Sequence, residues 1–563
     1  MTRGRPGLAA LDIAAGTLLA AAAVPLLAGA HGVWIGPLFL SIREPWRPAT
    51  AAVVLLALRA GWTQWAGTRR KAASGGSAID GAVSVILSFV LVSALFVWTH
   101  LHVRFCGGLD SYGYVSAAVA LASGTLVLPQ PMVDWLPFAR SIDAATPLGW
   151  TAAPSGTAIV PGYPLGLPVA MAAAILPGGL AAAFYVPLLA GIGTVVLAYV
   201  LARRIGPPWA AATAAALVAW NPVLTNMAVQ PMSDAPAAFW YLLALTLASG
   251  ERSRPLAAGL VFGMAVWTRP LVAALAPALL YVLPRRADAL LRFAAGTSPV
   301  FLTMAGLQWW LYGSPLRTGY GGAAGLFTTA NIARHLGAFT RWTVTVHGPL
   351  LLAAFALGLW RAPRKLAVAA ALGLAAGVVP YLFNMQFFDD WDLIRYLLPA
   401  LVPGVIVAAL GVVALSQSWL PGRAASLGAV AFVAAVSIGS YRLVSQQPTW
   451  TLVRQESRYA AVAEWFTART PPATLVFADL HSGSLRLYAG RPTLRWVRMP
   501  AGAISATVEE AHRRGLTVYV VFDDEAERRS WDAQAALAGE RVHAEPEGQV
   551  RGVLISRVSI KPS

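Results

Sequence analysis

Residues Leu397 to Leu415 read LLPALVPGVIVAALGVVAL, nineteen positions with no charge and no side-chain hydrogen-bonding group. Roughly 20 such residues, coiled as helix, span the hydrocarbon of a bilayer. Outward from this stretch, runs of similar length and character recur at Leu290 to Leu311, Leu180 to Ala202 and Ile79 to Thr99. The 563 residues are 57% apolar and 12% charged, whereas soluble domains average about 45–50% and 25%. Lipid is therefore the expected solvent for much of the chain. No alternation of strand length competes with these runs, which argues against an outer-membrane barrel.

A net charge of +17 invites a nucleic-acid reading until the charges are placed. From Ser445 onward there are 15 basic and 13 acidic residues, which leaves 27 basic against 12 acidic in the preceding part. That surplus sits in short loops, as expected of cytoplasmic turns in a membrane protein, so no nucleic-acid partner is expected. The single cysteine, Cys106, excludes an internal disulfide and a thiolate metal cluster. The apolar stretch after Arg3 and Arg5 reads on as a span, an uncleaved anchor rather than a cleavable signal.

Basic clusters at Arg69-Arg70-Lys71, Arg203-Arg204, Arg252 with Arg254, Arg285-Arg286, Arg361 with Arg364-Lys365, and Arg423 mark the candidate inside turns. Arg254 and Arg285 are separated by one apolar stretch, which as a single span would put them on opposite sides. A break at Trp267-Thr268-Arg269-Pro270 resolves this, since proline ends or redirects a helix. The result is a mainly α, polytopic transmembrane fold of about 13 spans, the first two near 10–30 and 48–66. Inside loops then hold about 15 Lys/Arg in about 51 residues and outside loops about 9 in about 153, which puts the amino terminus in the cytoplasm and the carboxyl terminus outside.

Three domains are expected: a two-span extension over 1–79, a transmembrane core over 80–444 with a large outside loop over 100–179, and a small soluble domain over 445–563. In the loop, Ser111 to Leu126 is apolar but short and broken by glycine, which predicts an interfacial helix. After Tyr441, helix is expected over Arg454 to Ala468 and Ser505 to Arg514, with strands at Thr474 to Phe477 and Thr517 to Phe522. Alternating strands and helices imply an α/β domain with a parallel sheet on the non-cytoplasmic side.

Acidic residues of the membrane part fall mostly on the outside of this map, at Glu44, Asp110, Asp134, Asp143, Asp234, Asp389, Asp390 and Asp392. Asp110, in CGGLDSYGY (106–114), sits just after the third span, where a partly desolvated carboxylate could take a proton from an acceptor hydroxyl. Its alternative role is a helix N-cap. Asp234, in QPMSDAP (230–236), opens a span and has the same two readings. Arg269 and Arg395 lie at the outer ends of spans, suited to a phosphate through paired hydrogen bonds or simply anchored at the interface. His335 and His347 carry no metal-spacing motif. A divalent metal stays open as a cofactor, with no ligand set evident. The segment from Ala478 to Tyr488 follows a strand, where ligands are often bound, but lacks a full glycine-rich fingerprint. Acceptor docking or packing fits it better than a second active site.

These motifs together resemble the GT-C glycosyltransferase superfamily, in particular the bacterial branch near protein O-mannosyltransferases and the lipid A aminoarabinose transferase. The resemblance rests on Asp110-Ser-Tyr-Gly-Tyr114, Gln230-Pro-Met-Ser-Asp-Ala-Pro236, Trp267-Thr-Arg-Pro270, Tyr312-Gly-Ser-Pro315 with Gly319-Tyr320, and Arg395-Tyr-Leu-Leu-Pro399. It implies a polyprenyl-phosphate sugar as donor and, as acceptor, an envelope glycan, lipid or protein. It further implies Asp110 as base, Asp234 as a second acidic site, Arg269 and Arg395 as donor phosphate contacts, and Tyr112, Tyr114 and Tyr320 against the acceptor. Many members carry paired acids in the first loop, whereas Ser111 follows Asp110 here. The expected setting is the inner, plasma membrane among its lipids, with the active site on the periplasmic or extracellular side. A secondary transporter is the rival class, and should bury ionisable groups near midplane and repeat its halves; a non-enzymatic envelope assembly protein is the third.

Overall fold

A computed structural model describes residues 32–35, 38–41, 78–250, 253–322, 325–420, 423–446 and 448–560. The first two expected spans lie outside these residues. The chain forms two compact units. The first holds the described residues up to His102 with Leu176–Phe301 and Phe327–Trp450, and the second Val103–Ile175, Leu302–Leu326 and the chain from Thr451.

The first unit is helical. Its centre is the stretch that opened the sequence analysis, now helix Leu398–Trp419, almost wholly buried. It packs on helices Ile332–Arg361, Arg364–Leu382, Asp234–Ala248 and Pro208–Ala219. Small residues permit this approach: a Cβ on Gly411 would lie 2.5 Å from the Gly358 Cα, so only glycine lets these two backbones meet. Large apolar side chains such as Phe89, Leu291 and Trp360 are exposed instead, the surface that lipid covers in a membrane protein. Among the described residues seven helices are long and apolar enough to cross a membrane, and five shorter apolar helices accompany them.

The expected break after Trp267 is present. Helix Pro255–Thr268 ends, Arg269 takes an extended conformation, and a 3₁₀ turn Pro270–Leu275 leads into helix Ala276–Val282. Helix Ile332–Arg361 begins well before the apolar run that hydropathy marks. His335 and His347, placed in or beside a loop by sequence, both lie buried in helix Ile332–Arg361.

The loop expected over 100–179 is largely ordered. Helix Asp110–Ala122 is packed inside the second unit, most of its residues buried. Short strands Leu128–Pro129, Trp150–Ala152 and Ala158–Pro161 form an antiparallel sheet with the last in the middle. Helix Gly166–Ala183, one of the seven long apolar helices, occupies the end of this stretch. Pro177 and Gly179, the latter at φ 67°, kink it near its end, and that Pro-Gly-Gly sequence is what made it read as loop.

The chain from Thr451 adds helix Leu452–Arg469 and a five-stranded sheet. Its order is Thr493–Leu494, Thr474–Ala478, Thr517–Phe522, Val553–Ile560, Val542–Val550. The first three strands are parallel, as expected. The last two pair antiparallel, so the sheet is mixed. The edge strand VHAEPEGQV carries Pro546 beside a register shift, the placement that lets proline occupy a sheet and that keeps an edge from recruiting other strands.

Candidate active site

In the first unit, Asn221 caps the short helix Pro222–Ala228, its side chain accepting from the Val223 and Leu224 amides at 3.1 Å each. The chain then turns and Asp234 begins helix Asp234–Ala248, with Ser233 in the cap position. Asp234 is 1% exposed, and its Oδ1 is ion-paired and hydrogen-bonded to Nη1 of Arg269. Its Oδ2 is buried with no hydrogen-bond partner. Arg269 also reaches the Tyr381 hydroxyl through Nε at 3.4 Å and lies over the Tyr396 ring, 4.8 Å from its centroid. Arg395 covers the same ring at 5.2 Å, and Tyr381 stacks on it at 4.9 Å and 7°. Arg395 Nε in turn lies 3.2 Å from Asp392, whose other oxygen is 3.5 Å from Asn226 Nδ2. Two guanidiniums thus share one aromatic ring, each with its own carboxylate.

His335 and His347 are buried and hydrogen-bonded. His347 Nε2 meets Asn221 Nδ2 at 3.2 Å, and His335 Nε2 meets the Asn384 carbonyl at 3.1 Å. On the exposed segment before Trp391, Asp389 accepts from Arg341 and from Trp342 Nε1, and these hydrogen bonds hold its carboxyl below the usual range.

In the second unit, Asp110 is the first residue of its helix, with Leu109 in the cap position. Its Oδ1 accepts a hydrogen bond from the Tyr163 hydroxyl. Burial first, then the Asp110 charge, pushes the Tyr163 phenol far up, so it keeps its proton and stays a donor. The Tyr163 ring packs on Tyr114 at 4.8 Å and edge-on to Tyr320 at 5.6 Å. Tyr320 is 50% exposed, whereas Tyr112 and Tyr114 are buried. The Tyr112 ring lies flat against Gly483, where any Cβ would collide with it. Of the three tyrosines proposed from sequence to meet an acceptor, Tyr320 is the one presenting surface.

The structure thus joins Asp234, Arg269 and Arg395 in one cluster and Asp110, Tyr114 and Tyr320 in another. Tyr163, Tyr381 and Tyr396 belong to these clusters and were missed. They are separated from their partners by 53 residues for Tyr163 and 112 for Tyr381, and an isolated tyrosine carries no periodic signal. Among the described residues no three His, Cys, Asp or Glu side chains gather to hold a metal ion.

This chain is a multi-pass membrane protein whose fold is that of the solved structures described next. Residues 168–309 match the family described as dolichyl-phosphate-mannose-protein mannosyltransferase. The structure resembles ArnT from Cupriavidus metallidurans in the apo state, with 14% identity over 85% of this chain and 98% of that one, at a TM-score of 0.50. The same protein bound to undecaprenyl phosphate is similar at 13% identity, 83% and 97% coverage, and a TM-score of 0.52. No curated protein matches the sequence.

Proposed function

We propose that this protein transfers a sugar from a polyprenyl-phosphate donor to an extracytoplasmic envelope acceptor, with inversion at the anomeric carbon. The observation that carries this reading is the pair of guanidiniums, Arg269 and Arg395, gathered at the one Tyr396 ring, on a fold shared with a protein crystallised with undecaprenyl phosphate. Guanidiniums bind phosphate oxygens in pairs of hydrogen bonds and stabilise charge that grows on a leaving phosphate. An acceptor hydroxyl attacks the anomeric carbon as the bond from that carbon to the phosphate oxygen breaks, and the phosphate leaves with the bonding pair. Asp110 takes the hydroxyl proton, its carboxylate oriented by Tyr163. Tyr320 offers the acceptor an exposed aromatic face.

The acids and Tyr320 act on the periplasmic or extracellular side of the plasma membrane, and the chain spans that membrane about 13 times. Purified protein, reconstituted with a panel of polyprenyl-phosphate monosaccharides and an envelope extract, should release polyprenyl phosphate and incorporate sugar. Solute movement across the vesicle membrane without any sugar transfer would replace this reading with transport.

A further inference from the structure

Asp110 stands at the end of a turn, Cys106-Gly-Gly-Leu-Asp110. Its own contacts are local: Ser111 Oγ donates to the Gly107 carbonyl at 2.8 Å, and the Gly107 amide donates back at 3.2 Å. Two consecutive glycines, the second at φ 59°, leave the backbone free to move. Beside the Tyr163 hydrogen bond to Asp110, restraint comes from residues more than 340 positions later in the same compact unit. The Tyr488 hydroxyl accepts from the Cys106 amide at 3.0 Å and contacts its sulfur at 3.2 Å. The Tyr459 ring lies directly under Gly107, where a Cβ would overlap it, and its hydroxyl underlies Gly108, 3.2 Å from where a Cβ would stand.

Tyr459 is itself braced. Arg458 Nη2 donates to its hydroxyl at 3.3 Å, and Arg458 Nη1 is 3.1 Å from Asp523 Oδ2 at the end of strand Thr517–Phe522. The buried His481 ring packs on its other side at 4.7 Å. Asp523 and His481 follow the carboxyl ends of two adjacent parallel strands, the rigid rim where α/β sheets carry working residues. Here the rim grips a tyrosine, and the tyrosine grips the turn.

We infer that Tyr459 and Tyr488 are positioning residues for Asp110: two helices packed on the carboxyl-terminal sheet, Leu452–Arg469 and Ser482–Ala489, clamp the Cys106–Asp110 turn and so become part of the catalytic apparatus. This rests on Asp110 being the base. The clamp sets where the carboxylate stands relative to Tyr163, and a misplacement of about 1 Å in a reacting group costs on the order of 10²-fold in rate.

The single cysteine supplies a readout that needs no substrate. Cys106 is buried and its thiol is pushed up to about 12 by that burial, so it should react slowly with a maleimide in the folded protein. In purified full-length protein, Tyr459→Leu should speed Cys106 labelling about tenfold or more, although residue 459 does not touch the sulfur, while the surface change Leu537→Ala should not. Unchanged labelling in a folded Tyr459→Leu protein overturns the clamp. With polyprenyl-phosphate mannose as the donor probe, Tyr459→Phe and Tyr488→Phe should lower kcat by about tenfold with donor KM within about twofold. In an Asp110→Asn background neither should lower the rate further, because both act through that carboxylate. Full additivity there, or a loss confined to KM, overturns positioning while leaving Asp110 as base. Near-normal turnover by Asp110→Asn itself removes the base, and the positioning role falls with it.

Discussion

Asp234 and Asp110 both open helices, yet their surroundings differ in one decisive respect. Asp234 is buried against a guanidinium, so the pair presents no net charge. Asp110 accepts a hydrogen bond from the Tyr163 phenol, which keeps its proton and so orients the carboxylate. On the proposed function the first acid holds an arginine and the second accepts the acceptor's proton. The two motifs look alike in sequence, and the partner, not the acid, separates their roles.

The comparison is tested most severely by exchanging each acid. Asp110→Asn preserves shape and hydrogen bonding and should lose about 10²–10⁴ of the transfer rate, read by sugar incorporation in folded protein. If Asp234→Asn loses as much while Asp110→Asn turns over normally, the two roles are reversed. Next in size, Asp234→Ala should destabilise the first unit by about 3–5 kcal/mol, since it strands a mostly buried guanidinium. Combining it with Arg269→Ala should cost less than the two single changes summed, measured by thermal melting in detergent. Strict additivity would mean that the ion pair contributes nothing.

Arg395→Ala sharpens the comparison further, because Arg395 is paired with the half-exposed Asp392 and its loss leaves no buried acid behind. Donor KM should rise about tenfold, or kcat fall by a similar factor if the contact tightens only as phosphate leaves. Arg395→Lys should rescue partly, keeping charge without the planar fork. Unchanged kinetics in both would make Arg395 an interfacial anchor.

The smallest effect concerns pH. Burial raises the Glu456 carboxyl to about 7, with Arg458 opposing. Because this group holds its proton more tightly folded than unfolded, its favourable contribution is complete only below the ordinary value of 4.5 and is lost as pH rises to about 7. The second unit should therefore be about 1–2 kcal/mol less stable at pH 8 than at pH 5 on this group's account, and Glu456→Gln should flatten that slope in melting curves. An unaltered slope assigns the pH response to other groups.

Much of the scaffold was legible because it follows from local pattern. The Trp267–Pro270 break, helix Leu452–Arg469 and strands Thr474–Ala478 and Thr517–Phe522 stand close to where proline chemistry and apolar periodicity put them. Strand Val542–Val550 was not legible, because its Pro546 and Gly548 look like loop and its side chains are mostly exposed. Helix Gly166–Ala183 was hidden by its own Pro-Gly-Gly kink. At the sites, Asp110, Asp234, Arg269 and Arg395 could be singled out by charge in apolar surroundings. Their pairing could not, since nothing near Asp110 in sequence points to Tyr163 and nothing near Arg269 points to Tyr381.

Arg486 shows what such distant pairing entails for the making of the protein. Its buried guanidinium donates to Gln130 Oε1 and the Ala145 carbonyl at 2.7 Å each, and at the same distance to both oxygens of Thr493. These acceptors are neutral, so the arginine ties the early segment to the late sheet by hydrogen bonds alone. Residues 130 and 145 leave the ribosome some 340 residues before Arg486 does. During synthesis the Asp110 segment therefore has to wait, its carbonyls unmatched, until nearly the whole chain has been inserted. A nascent chain halted before Arg486 lacks the donor that the Gln130 and Ala145 oxygens accept from in the folded protein.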